Sequence, residues 1–358
     1  MTATIVSPSP TSAETASSGG RDRTVDAVRA FAICGVVGGH WLVTGLVSGP
    51  DGWHTASPLA AMPSLAPATW LFQTLGLFFF AGGFAAARAR GGGGRRTRDK
   101  LLASLLPLLA GWALALGAGA ALGAPAGTLE TTAKLVVSPL WFLLPYLALR
   151  IAARPLCHAV RRYGPAVAIL PAAIVAGADV GWLPGWLAVP AAWTVPWLLG
   201  TAVALGRWGG RRVPVLLLIG GAAVLALLMT VGDYPLSAVG VPGEGRSNLS
   251  PPSLVAVALA VTQIGGFLLL RGAIGRLLRR PAAARAVTGL NRVAVPVYLW
   301  HQSLLLTAAA LVGTRIPGLV GQPDGTAWVA ARLAWLPVLA LGLAVLIRGR
   351  RHARGRVS

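Results

Sequence analysis

Charge is scarce in this chain. Only 11% of its 358 residues are Asp, Glu, Lys or Arg, whereas an ordinary soluble domain carries about 25%. Too few charges remain to cover a water-facing surface, which excludes a large soluble domain. Acid is scarcer still, with 10 Asp and Glu against 31 Lys and Arg, a formal net charge of +21. In a soluble protein that excess would point to nucleic acid. Here the arginines sit between apolar runs and not along one face, so no nucleic-acid partner is expected. Cysteine amounts to Cys34 and Cys157, too few for a disulfide framework, and both are expected as free thiols. The histidines (His40, His54, His158, His301, His352) show neither HExxH order nor zinc spacing with cysteine, so no metal site is expected. A charged start with a short apolar core and a cleavage site is missing as well. Residues 1–20, rich in Ser, Thr, Ala and Pro, are expected to be a disordered tail.

Apolar sequence is what the chain has in plenty. Hydrophobic residues make up 55% of it, and the mean hydropathy is +0.69. A bilayer core of about 30 Å needs roughly 20 apolar residues per helix. Candidate spans fall at 28–48, 69–88, 101–122, 135–153, 165–180, 186–205, 213–231, 253–271, 293–313 and 328–347, the fifth being short. The expectation is an all-α, multi-pass bundle of about ten transmembrane helices in the cell membrane. Three regions follow: a tail at 1–20, the transmembrane domain at 21–347 and a basic tail at 348–358.

The loops test that count. Alternate connections hold Arg21 and Arg23, the stretch 88–100, Arg150 to Arg162, Arg207 to Arg212, Arg271 to Arg285 and the tail from Arg348. The intervening side holds only Lys134, Arg246, Arg315 and Arg332. Positive residues gather on the cytoplasmic side of membrane proteins, so both termini are expected there. One missed or invented helix would scramble the alternation.

Several constellations stand out. In the first span, TVDAVRAFAICGVVGGHWLV, Arg29 and His40 are eleven residues apart, three helical turns or roughly 16 Å of rise, on nearly one face. Ionisable groups within a span need a polar cavity or a partner. Arg29 can equally snorkel to the head groups, and His40 can satisfy a core hydrogen bond. The ninth span, NRVAVPVYLWHQSLLL, buries a second histidine, His301, for which a packing role beside Trp300 stands equally open. The second span closes in FFFAGGF, whose Gly82-Gly83 permits close helix approach, and runs into a glycine-rich stretch with Arg88 and Arg90. That stretch can hold phosphates through arginine forks or simply anchor the helix. The longest polar loop, Gly232 to Ser253, offers Tyr234, Ser237, Glu244 and Asn248 as hydrogen-bonding groups over a site, unless it is a plain connector.

Together these residues resemble the acyltransferase 3 family of membrane acyltransferases. The resemblance rests on Arg29-x10-His40, the aromatic run closing in Gly82-Gly83, Arg88-x-Arg90, the LWFL run at Leu140 to Leu143 and the late YLWH. It covers roughly residues 22–347 and implies transfer of an acyl group, acetyl or another short one, from acyl-CoA to a hydroxyl of a carbohydrate, cell-envelope component or natural product. Within it, Arg88 and Arg90 are the expected clamp for the CoA phosphates. His40 is the expected general base, and Arg29 orients the site or holds a phosphate or carbonyl. His301, Tyr234, Ser237, Glu244 and Asn248 are the expected acceptor side. A proton-coupled transporter with intramembrane His and Arg is the competing class.

Overall fold

The computed structural model describes residues 21–89, 93–313 and 316–355; the tail expected at 1–20 and the expected phosphate ligand Arg90 lie outside the described residues. Twelve helices carry the architecture: α1 (Arg23–Val43), α2 (Leu75–Arg88), α3 (Gly93–Ala121), α4 (Ala126–Val137), α5 (Leu143–Ile151), α6 (Ala153–Tyr163), α7 (Ile169–Asp179), α8 (Ala188–Ala204), α9 (Arg212–Val231), α10 (Leu254–Leu277), α11 (Pro281–Val312) and α12 (Thr326–Gly355). Among the described residues, 10 helical segments are long and apolar enough to cross a membrane. The protein is a multi-pass membrane protein.

Hydropathy places the spans but not the helix ends. Helix α11, which carries the ninth span, begins at Pro281, well before the apolar run at 293, because a helix extends into its polar first turns while hydropathy registers only the greasy part. The last helix runs on through the basic tail to Gly355. The short fifth span, 165–180, is preceded by α6, ARPLCHAVRRY, which exposes Arg154, Arg161 and Arg162 and buries Val160, the two-faced pattern of an interfacial helix.

Burial separates centre from rim. The segments Pro63–Arg88 and Gly185–Ala204 have 61% and 67% of their apolar windows buried, against 11% in Leu101–Ala121 and in Arg212–Val231. The leucines and valines left exposed on α3, α9 and α12 suit contact with lipid chains. At the centre, α2 and α8 approach backbone to backbone. A Cβ on Gly83 would lie 2.0 Å from the Trp197 carbonyl oxygen, and one on Gly200 would lie 2.0 Å from that of Phe80. The glycines therefore do what small residues do in membrane interfaces, where packing replaces the hydrophobic effect between helices.

The entry to α1 is capped. Asp22 accepts from the Thr24 and Val25 amides at 2.9 and 3.2 Å, satisfying orphan donors of the first turn, and is paired with Arg271 of α10. Burial alone would raise the Asp22 carboxyl, but the Thr24 hydroxyl, the Arg271 charge and the Val25 amide outweigh it and hold the group below its ordinary value. The exit from α1 departs from the expectation that the first span runs to 48. The helix stops at Val43, and a hairpin of β1 (Gly45–Gly49) and β2 (Gly52–Ala56) follows. Gly52 turns it with φ 107°, a backbone conformation glycine adopts at little cost. Leu46 is fully buried there, and its carbonyl accepts from Gly321 at 2.8 Å.

Candidate active site

Helices α1 and α11 run parallel, since contacts climb both together. The Arg29 Nε donates to Asn291 Oδ1 at 2.5 Å, the two histidines meet one level up, and Gln302 Nε2 donates to Thr44 Oγ1 at 3.2 Å. Parallel first and ninth spans are what an unbroken alternation of ten requires. This pairing brings His40 and His301, 261 residues apart in sequence, to a 2.9 Å contact between Nδ1 and Nε2.

The network assigns the protons. His301 Nδ1 lies 2.5 Å from the Tyr298 carbonyl oxygen, which only accepts, so Nδ1 carries the hydrogen. In the neutral ring His301 Nε2 is then an acceptor. His40 Nδ1 must donate to it, and the lone pair of His40 resides on Nε2. His301 is fully buried. It is held further by the Trp41 indole, which donates to the His301 carbonyl at 3.0 Å, while the Tyr298 hydroxyl donates to the Pro139 carbonyl. His40, in contrast, is partly exposed and lines a cavity of about 290 Å³.

That cavity is walled largely by apolar side chains, among them Leu42, Val43, Leu59, Phe72, Trp141 and Phe142. Its polar members are few, and among the described residues no acidic side chain lines it. A second cavity of about 180 Å³ contains Arg29, Asn291 and Tyr146. The two share Val36, Leu75, Phe142 and Tyr298 as a common wall. Arg29 is thus not a neighbour of His40 in one pocket; it stands on the far side of that wall. Its guanidinium is aimed by Asn291 and by Asp26, to which Nη2 donates at 3.2 Å.

The other residues singled out from sequence fall into place separately. Arg88 ends α2 and is exposed, its guanidinium 5.6 Å from the Phe84 ring centroid. In the long loop, the Tyr234 hydroxyl donates to Asp179 Oδ2 at 2.7 Å. Burial, then the Asp179 carboxylate, pushes that phenol up to about 12. Asn248 Nδ2 donates to the Pro235 and Ser237 carbonyls at 2.8 and 2.9 Å, and Ser237 Oγ accepts from the Val239 amide at 3.2 Å. These three brace the loop itself, and Glu244 is exposed. The loop reaches the His40 cavity through Val239 and Leu249 instead.

Four residues of the site have no role in the sequence analysis: Asn291, Tyr298, Phe142 and Arg332. Arg332 carries a usable signal, an arginine inside the last apolar run, although the alternation of charge alone puts it among the outer-side cations. It is fully buried, with Nη1 donating to the Trp41 carbonyl at 3.1 Å. Phe142 and Tyr298 fall inside the LWFL and YLWH runs, which mark the family resemblance without giving these two a role, and Asn291 carries no signal, because a polar residue at the start of an apolar run is common.

A family model described as an acyltransferase domain, Acyl_transf_3, matches residues 22–347. No curated protein and no solved structure matches the chain at a significant level. The family match does not support the transporter alternative.

Proposed function

The chain belongs to the Acyl_transf_3 family and is an acyltransferase embedded in the membrane, and from that premise we propose that it moves a short acyl group from acyl-CoA to a hydroxyl. The observation that carries the reading is the hydrogen-bonded chain from the Tyr298 carbonyl through His301 to His40 at the wall of a cavity. It fixes one tautomer of His40 and leaves Nε2 to take a proton, which is what a general base needs.

The donor enters at the Arg29 side. Arg29, held by Asn291 and Asp26, meets a phosphate of CoA, and Arg88, exposed at the end of α2, meets another. The basic segments make this end cytoplasmic, with both termini there. The acyl-bearing arm passes the wall of Phe142 and Tyr298 into the His40 cavity. There the acceptor hydroxyl oxygen attacks the thioester carbon as His40 Nε2 removes its proton. The intermediate collapses, the C–S bond breaks, and the proton passes to the leaving thiolate, giving the acyl ester and CoA thiol.

The acceptor has a large apolar part. Leucine, valine and aromatic side chains offer a free sugar few hydrogen bonds, so the lining favours a lipid-linked or hydrophobic natural product bearing a hydroxyl.

The test uses full-length protein in lipid nanodiscs of phosphatidylglycerol and phosphatidylethanolamine. Radiolabelled acetyl-, butyryl- and octanoyl-CoA are supplied with n-octyl glucoside, an apolar body carrying hydroxyls. Label transfer by wild type and its loss in a folded His40→Ala variant are expected. Equal transfer by the two would remove His40 from the mechanism, and no thioester cleavage with any donor would remove the acyl-CoA reading.

A further inference from the structure

Arg332 is a buried cation that the mechanism above leaves without a task. It sits in α12 and is fully buried, and it has no carboxylate partner among the described residues. Leaving a charge in a low-dielectric interior is costly unless something offsets it. Part of the compensation is visible. Nη1 donates to the Trp41 carbonyl at 3.1 Å, Nη2 to the Leu319 carbonyl at 3.4 Å, and the guanidinium carbon lies 4.6 Å from the Trp328 ring centroid. The Arg332 Nε has no hydrogen-bond partner among the described residues.

Two further orphans belong to the same wall. Gln73 Nε2 and Trp328 Nε1 are buried and have no partner among the described residues. Arg332, Gln73 and Trp328 all line the His40 cavity. Buried polar groups are normally satisfied, and each exception calls for an explanation. Three exceptions on one cavity, every one a donor, suit an acceptor group bound there. Both terminal nitrogens of Arg332 are already engaged, which leaves single N–H groups and not an open two-pronged fork. Single donors suit one carbonyl oxygen better than a carboxylate or phosphate, for which a free fork is the usual partner.

The guanidinium is also tied to the histidine site. Its Nη1 bond ends on Trp41, the residue after His40, and the Trp41 indole in turn donates to the His301 carbonyl. A base on α1 and a cation on α12 are therefore fastened to one peptide segment beside one cavity.

We propose that Arg332, assisted by Trp328 and Gln73, holds the carbonyl oxygen of the acyl thioester and stabilises the negative charge that develops on it; this rests on the acyl-transfer reading of the same site. As the acceptor oxygen bonds to the carbonyl carbon and His40 takes the proton, the C=O electron pair moves onto that oxygen beside Arg332. When the pair returns, the carbon–sulfur bond breaks and the thiolate leaves with the proton. A donor aimed at charge present only in the transition state acts on kcat and leaves ground-state binding nearly unchanged.

The experiment compares wild type, His40→Ala, Arg332→Gln and Trp328→Phe in nanodiscs. It uses the acyl-CoA that wild type cleaves fastest, with n-octyl glucoside as acceptor. Arg332→Gln is expected to lower kcat about 100-fold, with KM for donor and acceptor nearly unchanged. Calorimetry with CoA and with the ketone analogue of acetyl-CoA, in which CH2 replaces sulfur, gives an independent reading. Binding of CoA and of the ketone, a mimic of the uncharged ground-state thioester, should both survive the substitution nearly unchanged, and a large loss of ketone affinity would overturn the transition-state assignment in favour of ground-state binding. Trp328→Phe keeps an aromatic ring beside the guanidinium and removes the indole N–H, so a smaller fall in kcat is expected even if Arg332→Gln does not fold. An active wild type and a dead His40→Ala beside unchanged kcat in both other variants would overturn this assignment alone. A raised acceptor KM with kcat intact would overturn it in favour of an acceptor-binding role. Absence of thioester cleavage by wild type would overturn the acyl-transfer reading and the assignment together.

Discussion

His40 Nδ1 and His301 Nε2 lie 2.9 Å apart, and the carbonyl of Tyr298 decides which of them donates. The relationship makes His301 a positioning residue for the base. Two imidazoles in contact would otherwise exchange tautomers freely; a backbone acceptor on the far nitrogen of His301 orders the whole chain.

Replacing His301 by Phe keeps an aromatic ring in the pocket and removes the acceptor for His40 Nδ1. Transfer activity is expected to fall about 100-fold, within the range assigned to a correctly placed general base. Glutamine, which can accept at a similar position, should restore part of the loss. Steady-state kinetics on the two variants, with melting temperatures close to wild type, make the check.

Asn291 acts on the other cavity. Its Oδ1 receives the Arg29 Nε, and its Nδ2 donates to the carbonyls of Asp26 and Val287 at 2.8 and 2.9 Å. Asn291→Leu frees Arg29 from that aim. The KM for acyl-CoA is expected to rise about tenfold, the worth of one hydrogen bond to a charged group, with kcat little altered. A fall in kcat at constant KM would place Arg29 in the chemistry and not in donor binding.

Gly83 is a packing prediction free of any functional reading. Alanine there would drive a methyl against the Trp197 carbonyl, 2.0 Å from the added carbon. Backbone cannot move aside as a flexible side chain can, so Gly83→Ala should destabilise the α2–α8 contact by about 1–3 kcal/mol. Gly111, whose added Cβ meets nothing within 4 Å, serves as the matched control. Thermal unfolding in detergent, followed by tryptophan fluorescence, separates the two.

Acid should loosen the cap of α1. The Asp22 carboxyl is held below its ordinary value of 3.8, so the unfolded chain binds that proton more readily than the folded one. Stability from the cap is complete above the unfolded value and is lost as pH falls through the lowered folded one. The melting temperature of wild type is expected to drop below about pH 4 more steeply than that of Asp22→Asn, which keeps a capping oxygen without titrating. Parallel curves for the two would show that the Asp22–Arg271 pair contributes nothing to this transition.

The sequence by itself determined the number of spans and the presence of Arg29, His40 and Gly82-Gly83. Each of these is written in local chemistry. A greasy run of some twenty residues has one stable solution in a bilayer, alternating basic loops keep the count consistent, and a histidine inside such a run stands out. Tertiary structure alone decided the partnerships. That His301 meets His40 depends on α1 and α11 packing parallel across 261 intervening positions. Hydropathy contains no information about which spans are neighbours. The same limit hid the separation of Arg29 from His40. Eleven residues on one helix face read as one site, but the side chains of Phe142 and Tyr298, arriving from other helices, divide that face into two cavities. Arg332 shows the limit most plainly. An arginine near the start of an apolar run reads as a surface anchor until packing removes its water, and only then does an unpaired N–H become chemistry.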